Sequence, residues 1–235
     1  DIPMRLSTNL IALLRNFSKI NPSLRFEKGD LLGTIDKRKM LIAIAKLDEE
    51  CPQEAYIYSL KEFLSLIARS EHPLQFSFDT TASETFPHGC VTVQEVESLK
   101  MIGSVTLCPA NCVKTPPEKR ISLEYDLAFD LTAADLVHLK KQSDYWHKKI
   151  VICSSGDTVQ LQKMSDRDYA SGLIEVCNTA PGTAPLWCAI NTEYFKCLMP
   201  GPYSVQISKK GLAYFLYKGF PLEYWIVTER KTNDS

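Results

Sequence analysis

The sequence predicts an α+β fold made of two similar domains. Three observations lead there. The order of strand-like and helix-like segments runs twice along the chain, one proline-bearing stretch separates the two runs, and 235 residues at 45% apolar and 23% charged are enough to bury two cores. The length alone allows one large domain or two small ones, and the repeat favours two.

Ser7 opens the first helix. Leu10, Ile11, Leu14 and Phe17 follow at the spacing of one helix face, Ser7 has the side chain of an N-cap, and Asn21-Pro22 ends the run. Strand-like runs come next at 24–28, 31–36, 40–47 and 54–58, with turns at 28–30 and 36–39. A second helix is expected over Ser59 to Arg69, with Leu60, Phe63, Leu64 and Ile67 inward. Strands resume at 74–79, 90–94 and 101–108. Residues 109–120 then carry three prolines and no periodicity, which reads as an extended connector. The domains expected from this are 4–108 and 121–235.

Past the connector the pattern restarts. Residues 121–131 read as a strand, and Thr132 is a candidate cap for a third helix carrying Leu136 and Leu139. Ser155-Gly156-Asp157 is a hairpin turn between runs at 149–154 and 158–163. Strands at 172–179 and 186–189, a short helix at 191–198 ending on Pro200-Gly201, and strands at 203–208, 212–217 and 222–228 complete the chain. Ile57-Tyr58-Ser59-Leu60-x-x-Phe63-Leu64-x-x-Ile67 aligns with Cys188-Ala189-Ile190-Asn191-x-x-Tyr194-Phe195-x-x-Leu198, and Pro73–Ser77 with Pro202–Gln206, at an offset of about 130 residues.

Composition excludes a disordered chain, a collagen-like chain and a strongly basic wrapper, since 27 Lys+Arg against 28 Asp+Glu leave a net charge of -1. No apolar run nears the ~18 residues of a membrane span, and the start lacks the basic and apolar regions of a signal peptide. Eight scattered cysteines suit a reducing compartment rather than a disulfide scaffold, and Cys153, Cys177, Cys188 and Cys197 sit among apolar neighbours as buried thiols. Cys108 and Cys112 lack the second pair a zinc site needs. There is no phosphate-cradling glycine motif, no nucleophile elbow and no paired histidine ligands among His72, His88, His138 and His147. No cofactor, metal or catalytic activity is expected.

Charge is more informative. The four expected helices carry Arg15, Lys19, Lys61, Arg69, Lys140, Lys141 and Lys196 against only Glu62, Asp135 and Glu193, an excess of four positive charges in a chain of net -1. Placed side by side, such helices would form a positive stripe able to hold a phosphate backbone without reading sequence. No aromatics interleave with these cations, which argues against a stacking platform for single strands.

Motifs spread along the chain then resemble a known family. Leu6-Ser7-x4-Ala12-Leu13-Leu14-Arg15-Asn16-Phe17-x2-Ile20-Asn21 is the clearest. Ala55-x-Ile57-Tyr58-x-Leu60-x2-Phe63-Leu64, Ala133-x-Asp135-Leu136-x2-Leu139, and Ile190-Asn191 with Lys196, Pro200-Gly201 and Tyr203 follow in order. Together they resemble the DNA sliding clamps of T4-like tailed bacteriophages, with 79–120 the poorest match. The resemblance implies a homotrimeric ring of six similar domains, helices lining the hole and antiparallel sheets outside. It implies sequence-independent encirclement of duplex DNA in the cytoplasm of an infected bacterial host, and processivity conferred on a tethered DNA polymerase. It further implies closure by an ATP-driven clamp loader and a role in late transcription with a sigma-like factor and a coactivator. Arg15, Lys19, Lys61, Arg69, Lys140, Lys141 and Lys196 would then face the DNA backbone, with Lys148 and Lys149 as secondary candidates. A pocket for the polymerase C-terminal tail would use Ile35, Met40, Val113, Leu212, Trp225 and Val227. Two other readings stand beside it. One is a metal-dependent nuclease using Glu124, Asp126 and Asp130; the other is an interaction module whose basic helices are an ordinary solvated face.

Overall fold

The structure, a computed structural model, describes residues 2–118, 121–141, 147–165, 170–177 and 185–231. The chain divides into two compact units, Asp1–Pro117 and Glu118–Ser235. Residues 109–117 of the expected connector thus go with the first unit, while Lys119 and Arg120 lie outside the described residues.

The first unit runs β1 (Met4–Arg5), α1 (Thr8–Ile20), β2 (Leu24–Phe26), β3 (Gly29–Ile35), β4 (Leu41–Cys51), β5 (Ala55–Ile57), α2 (Leu60–Ile67), β6 (Leu74–Asp79), β7 (Cys90–Glu95) and β8 (Met101–Thr106). An antiparallel sheet has the order β1-β6-β7-β8, β2 pairs with β5, and β3 pairs with β4 as a hairpin. Leu74, Phe76 and Phe78 alternate inward from β6. Phe76 and Phe78 meet Phe26 at ring-centroid distances of 5.6 and 5.2 Å, and Phe76 meets Phe63 of α2 at 5.6 Å. All four rings are buried, each contributing about 1.5–3 kcal/mol by removal from water.

The second unit runs β9 (Leu127–Leu131), α3 (Ala133–Lys141), β10 (His147–Ser155), β11 (Thr158–Ser165), β12 (Ala170–Cys177), β13 (Leu186–Asn191), α4 (Thr192–Lys196), β14 (Tyr203–Ser208), β15 (Leu212–Tyr217), β16 (Leu222–Val227) and β17 (Glu229–Arg230). One antiparallel sheet has the order β12-β11-β10-β13-β17, and β9, β14, β15 and β16 pair in the order β16-β15-β14-β9. The β10–β11 turn is the expected hairpin: Ser155 pairs with Thr158, and Gly156 takes a φ of 65° that a tight turn demands.

All four helices start where the sequence places them. The Ser7, Ser59 and Thr132 hydroxyls and the Asn191 amide oxygen accept from the backbone N–H of Leu10, Glu62, Asp135 and Glu193 at 3.1, 3.3, 3.1 and 2.9 Å. These caps correct the repeat alignment by one residue. With Ser59 set against Asn191, the inward positions Leu60, Phe63, Leu66 and Ile67 fall on Thr192, Phe195, Leu198 and Met199, all buried.

Other expectations change. In α2 it is Leu66, not Leu64, that is buried, and in α1 Ile11 is half-buried while Leu13 and Ile20 are buried, because each helix packs a broader face than a narrow stripe. The strand expected from residue 121 begins only at Leu127, where pairing with β14 starts. The end of the strand expected at 172–179 lies outside the described residues. Of the four cysteines expected to be buried, Cys188 is buried, Cys153 and Cys197 are half-buried and Cys177 is exposed, while Cys51 and Cys90 are buried. Among the described residues no helix is long and apolar enough to cross a membrane.

Candidate nucleic-acid interface and partner surface

Within the first unit α1 packs along α2. Leu10, Leu13, Leu14 and Phe17 of α1 turn inward, which leaves Arg15 and Lys19, four residues apart, one above the other on the exposed face. In α2 the inward Leu60, Phe63, Leu66 and Ile67 leave Lys61 exposed, and Arg69 is exposed one residue beyond the Ala68 C-cap. Among the described residues Arg15, Lys61, Arg69 and Lys141 form no ion pair. No carboxylate among the described residues neutralises these charges.

In the second unit α3 packs along α4, and Lys141 and Lys196 are exposed at the last positions of these helices, where a cation suits the helix dipole. Lys140 differs from the other six. It is half-buried, and its ammonium donates to the carbonyl of Leu198, tying α3 to the turn after α4. Lys163, which the sequence reading passed over, is fully buried in β11 and its Nζ donates to the carbonyl of His138 at 3.0 Å, closing the end of α3. The alternation of β11 puts it inward, and a buried lysine has no sequence signal apart from that alternation. Lys149 of β10, a secondary candidate, pairs with Glu229 at 2.5 Å; Lys148 is exposed.

The carboxylates considered for a metal are held by other groups. Asp126 accepts from the backbone N–H of Lys209 at 2.7 Å, with the Lys209 ammonium at 3.4 Å. Asp130 meets the Lys218 ammonium at 3.0 Å and the Ser204 hydroxyl at 3.0 Å, and those two bonds, Lys218 first, hold its carboxyl below the usual range. Glu124 lies outside any strand.

The six candidate pocket residues fall in two groups, one per unit. In the second unit Leu212 pairs with Val227 and Tyr214 with Trp225, so Leu212, Trp225 and Val227 share one sheet face. Leu212 and Val227 are half-buried, while Trp225 is buried against Tyr214 at 5.3 Å between ring centroids. Tyr125 adds a further ring 5.9 Å from Tyr214. Burial first, then the 2.8 Å bond from Tyr214 to Glu223, raises the Tyr214 phenol, so it stays protonated at neutral pH. The sequence reading missed Tyr125 and Tyr214, although the i, i±2 spacing from Leu212 places Tyr214 on the same face.

In the first unit Ile35 ends β3, Met40 precedes β4, and Val113 follows a turn of 3-10 helix at Ala110–Cys112. Ile35 and Val113 are buried and Met40 is half-buried. Asp36 builds the loop between Ile35 and Met40: its carboxylate accepts from the backbone N–H of Arg38, Met40 and Leu41 at 2.9, 2.6 and 2.7 Å. Asn21 joins the pieces, donating from Nδ2 to the carbonyls of Ile35 at 3.0 Å and Lys114 at 3.5 Å. The sequence marked Asn21 only as a helix stop.

This arrangement has solved counterparts. A chain of the PCNA2–PCNA3 complex from Sulfolobus tokodaii superposes with a TM-score of 0.69 over 98% of this chain and 100% of that one, at 13% identity. Proliferating cellular nuclear antigen from Entamoeba histolytica superposes with a TM-score of 0.67 over 93% and 94%, at 12% identity. The chain has the two-domain sliding-clamp fold. Within that fold class it resembles the clamps of T4-like tailed bacteriophages: it is 27% identical over 238 aligned positions to the sliding clamp of Vibrio phage KVP40, spanning 96% of this chain and 99% of the relative. No protein-family model matches the chain.

Proposed function

We propose that this chain is the subunit of a homotrimeric sliding clamp that encircles duplex DNA and tethers a DNA polymerase, without chemistry of its own. The observation that carries the reading is the exposed cationic face on the helices of both units, in a chain that is otherwise net acidic and has the sliding-clamp fold. Arg15, Lys19, Lys61, Arg69, Lys141 and Lys196 meet the phosphate backbone, and Lys140 contributes mainly through α3. A closed ring leaves DNA only by opening or by running off an end, so residence does not require affinity. Weak, diffuse phosphate contacts are then an advantage, because each strong contact would resist sliding. The acidic remainder keeps DNA off the outer surface.

In this reading the tail of the polymerase docks on the apolar candidates, Ile35, Met40 and Val113 of the first unit and Leu212, Trp225 and Val227 of the second, and an apolar anchor carries most of the binding energy. An ATP-driven loader closes the ring in the cytoplasm of the infected host, and a sigma-like factor with its coactivator uses the same clamp for late transcription. Support for these partners is the likeness to phage KVP40's sliding clamp.

The deciding experiment loads the purified chain onto nicked circular DNA with its loader and ATP, then linearises the circle. Retention on the circle and loss on linearisation are expected, together with a sedimenting mass three times 26.5 kDa. Equal retention on circular and linear DNA overturns encirclement.

A further inference from the structure

Residues 113–116 belong to the stretch that the sequence reads as an extended connector, yet three contacts fasten them, two to the β3–β4 hairpin and one to Asn21. Val113 is buried. The carbonyl of Lys114 accepts from Asn21 Nδ2 at 3.5 Å, and the same nitrogen donates to the carbonyl of Ile35, the last residue of β3, at 3.0 Å. Lys114 Nζ reaches back to the carbonyl of Lys37 in the hairpin loop at 3.3 Å. Pro116 lies so close to β3 that a Cβ on Gly33 would stand 3.0 Å from its Cγ.

Asn21 is the centre of this set. It is 7% exposed, and all of its polar valence is used: Nδ2 spans the two carbonyls, and Oδ1 accepts from the N–H and the hydroxyl of Ser23, each at 3.0 Å. Its own N–H closes α1 on the carbonyl of Phe17 at 2.9 Å. One buried amide thus connects the end of a helix that carries Arg15 and Lys19, the end of β3 and the connector.

We propose that Asn21 is a positioning residue. It latches the connector to the β3–β4 hairpin, so the part of the partner surface formed by Ile35, Met40 and Val113 is preformed before a partner tail arrives. This rests on the clamp reading for the identity of the partner, but the latch itself does not. The physical gain is preorganisation: a partner that meets a fixed surface does not have to order a segment of chain on binding, and a segment left loose would lower affinity by that ordering cost. Asn21 touches no partner in this account and acts through residues 113–116.

The informative variant is Asn21→Asp. It keeps the Oδ1 acceptor for Ser23 but replaces the donor that spans Ile35 and Lys114 with an oxygen facing two carbonyls. Gly33→Val tests the same docking from the other side, by placing methyl groups where Pro116 sits. Hydrogen exchange by mass spectrometry is read over 109–118 in wild type and both variants. Binding of the cognate polymerase's C-terminal peptide is titrated in parallel, and thermal midpoint and sedimenting mass are recorded.

The expected result has three parts: faster exchange over 109–118 in both variants, peptide affinity lower by roughly 5–10-fold, the size of one lost net hydrogen bond, and an unchanged sedimenting mass. Unchanged exchange in both variants overturns the latch. Faster exchange with unchanged peptide affinity overturns the positioning role. A wild-type protein that binds no peptide overturns the tail-docking reading instead, and exchange still decides the latch.

Discussion

Met199 is held twice by buried tyrosines. Its N–H donates to the Tyr224 hydroxyl at 3.2 Å, and its carbonyl accepts from the Tyr203 hydroxyl at 2.7 Å. Burial raises both phenols, so neither ionises near neutral pH. Tyr224→Phe leaves a buried N–H without an acceptor and is expected to cost about 1–3 kcal/mol, read as a lower urea midpoint, with the helix cations unaffected. Thiol reactivity is a second consequence at this scale. Cys188 is buried and its thiol is pushed up to about 12 by that burial, with Cys153 beside it, while Cys112 and Cys177 are exposed. Alkylation at neutral pH is expected to modify Cys112 and Cys177 first and Cys188 only on unfolding; early labelling of Cys188 would contradict the packing of β13. Sequence neighbours alone could not separate these thiols. Cys177 sits beside Val176 in an apolar-looking run, but it shares a face of β12 with exposed Leu173 and Glu175, and that face decides its exposure.

The helices are the most legible elements and also the ones where tertiary contacts changed a role. Ser59→Ala removes the acceptor for the Glu62 N–H and is expected to cost about 1 kcal/mol by chemical denaturation. Lys61 and Lys140 looked equivalent in the sequence, each a lysine off the apolar stripe. Lys61 is exposed, and Lys140 bonds to the Leu198 carbonyl of the following helix turn. Lys61→Glu, combined with Arg15→Glu, is therefore expected to weaken loading and contact with a linear duplex with no change in thermal midpoint, and Lys140→Glu to lower the midpoint as well. A thermal loss in the Lys61 variant equal to that of the Lys140 variant would remove the distinction. Strand elements show the same division. Residues 121–126 alternate like a strand, yet among the described residues the paired ladder with β14 starts at Leu127, with one bond from the Asp126 N–H to the Ile207 carbonyl at 2.8 Å just before it, and alternation without pairing does not make a strand. Of the apolar residues proposed for the partner surface, all but Val113 were legible as strand residues. Asn21 and Asp36 were legible only as punctuation, because their side chains act on backbone groups distant in sequence or around a turn.

At the scale of the whole molecule, four carboxyls among the described residues are held below their ordinary range. Tyr56 and then Arg25 hold Glu54 below the usual range, Thr81 holds Asp79, Ser98 and Ser70 hold Glu95, and Lys218 and Ser204 hold Asp130. A carboxyl with a depressed folded pKa adds stability above its unfolded pKa and loses it as pH falls through the folded value, because the unfolded chain binds more protons there. Stability is thus expected to hold between pH 7 and about 5 and to decline below about 4; a decline centred near 6 would assign it to histidines instead. Salt acts on function at the same scale. If residence is topological, raising ionic strength should weaken contact of the cations with a linear duplex far more than it shortens residence on a closed circle.

The sequence by itself determined the two-domain repeat, the four helix starts, most strands and the excess of cations on the helices. These rest on short-range physics: a capping side chain reaches a backbone N–H three residues ahead, and apolar spacing of 2 or 3.6 selects strand or helix. Only the tertiary structure decided which of those cations stay exposed, which cysteines are covered, where the repeat aligns to the residue, and that residues 113–116 are fastened to the β3–β4 hairpin. Each of those outcomes depends on groups far apart in the chain, Lys140 with Leu198, Lys163 with His138, Asn21 with Lys114. Periodicity carries no information about such pairs, because it fixes the direction of a side chain and not what stands opposite it.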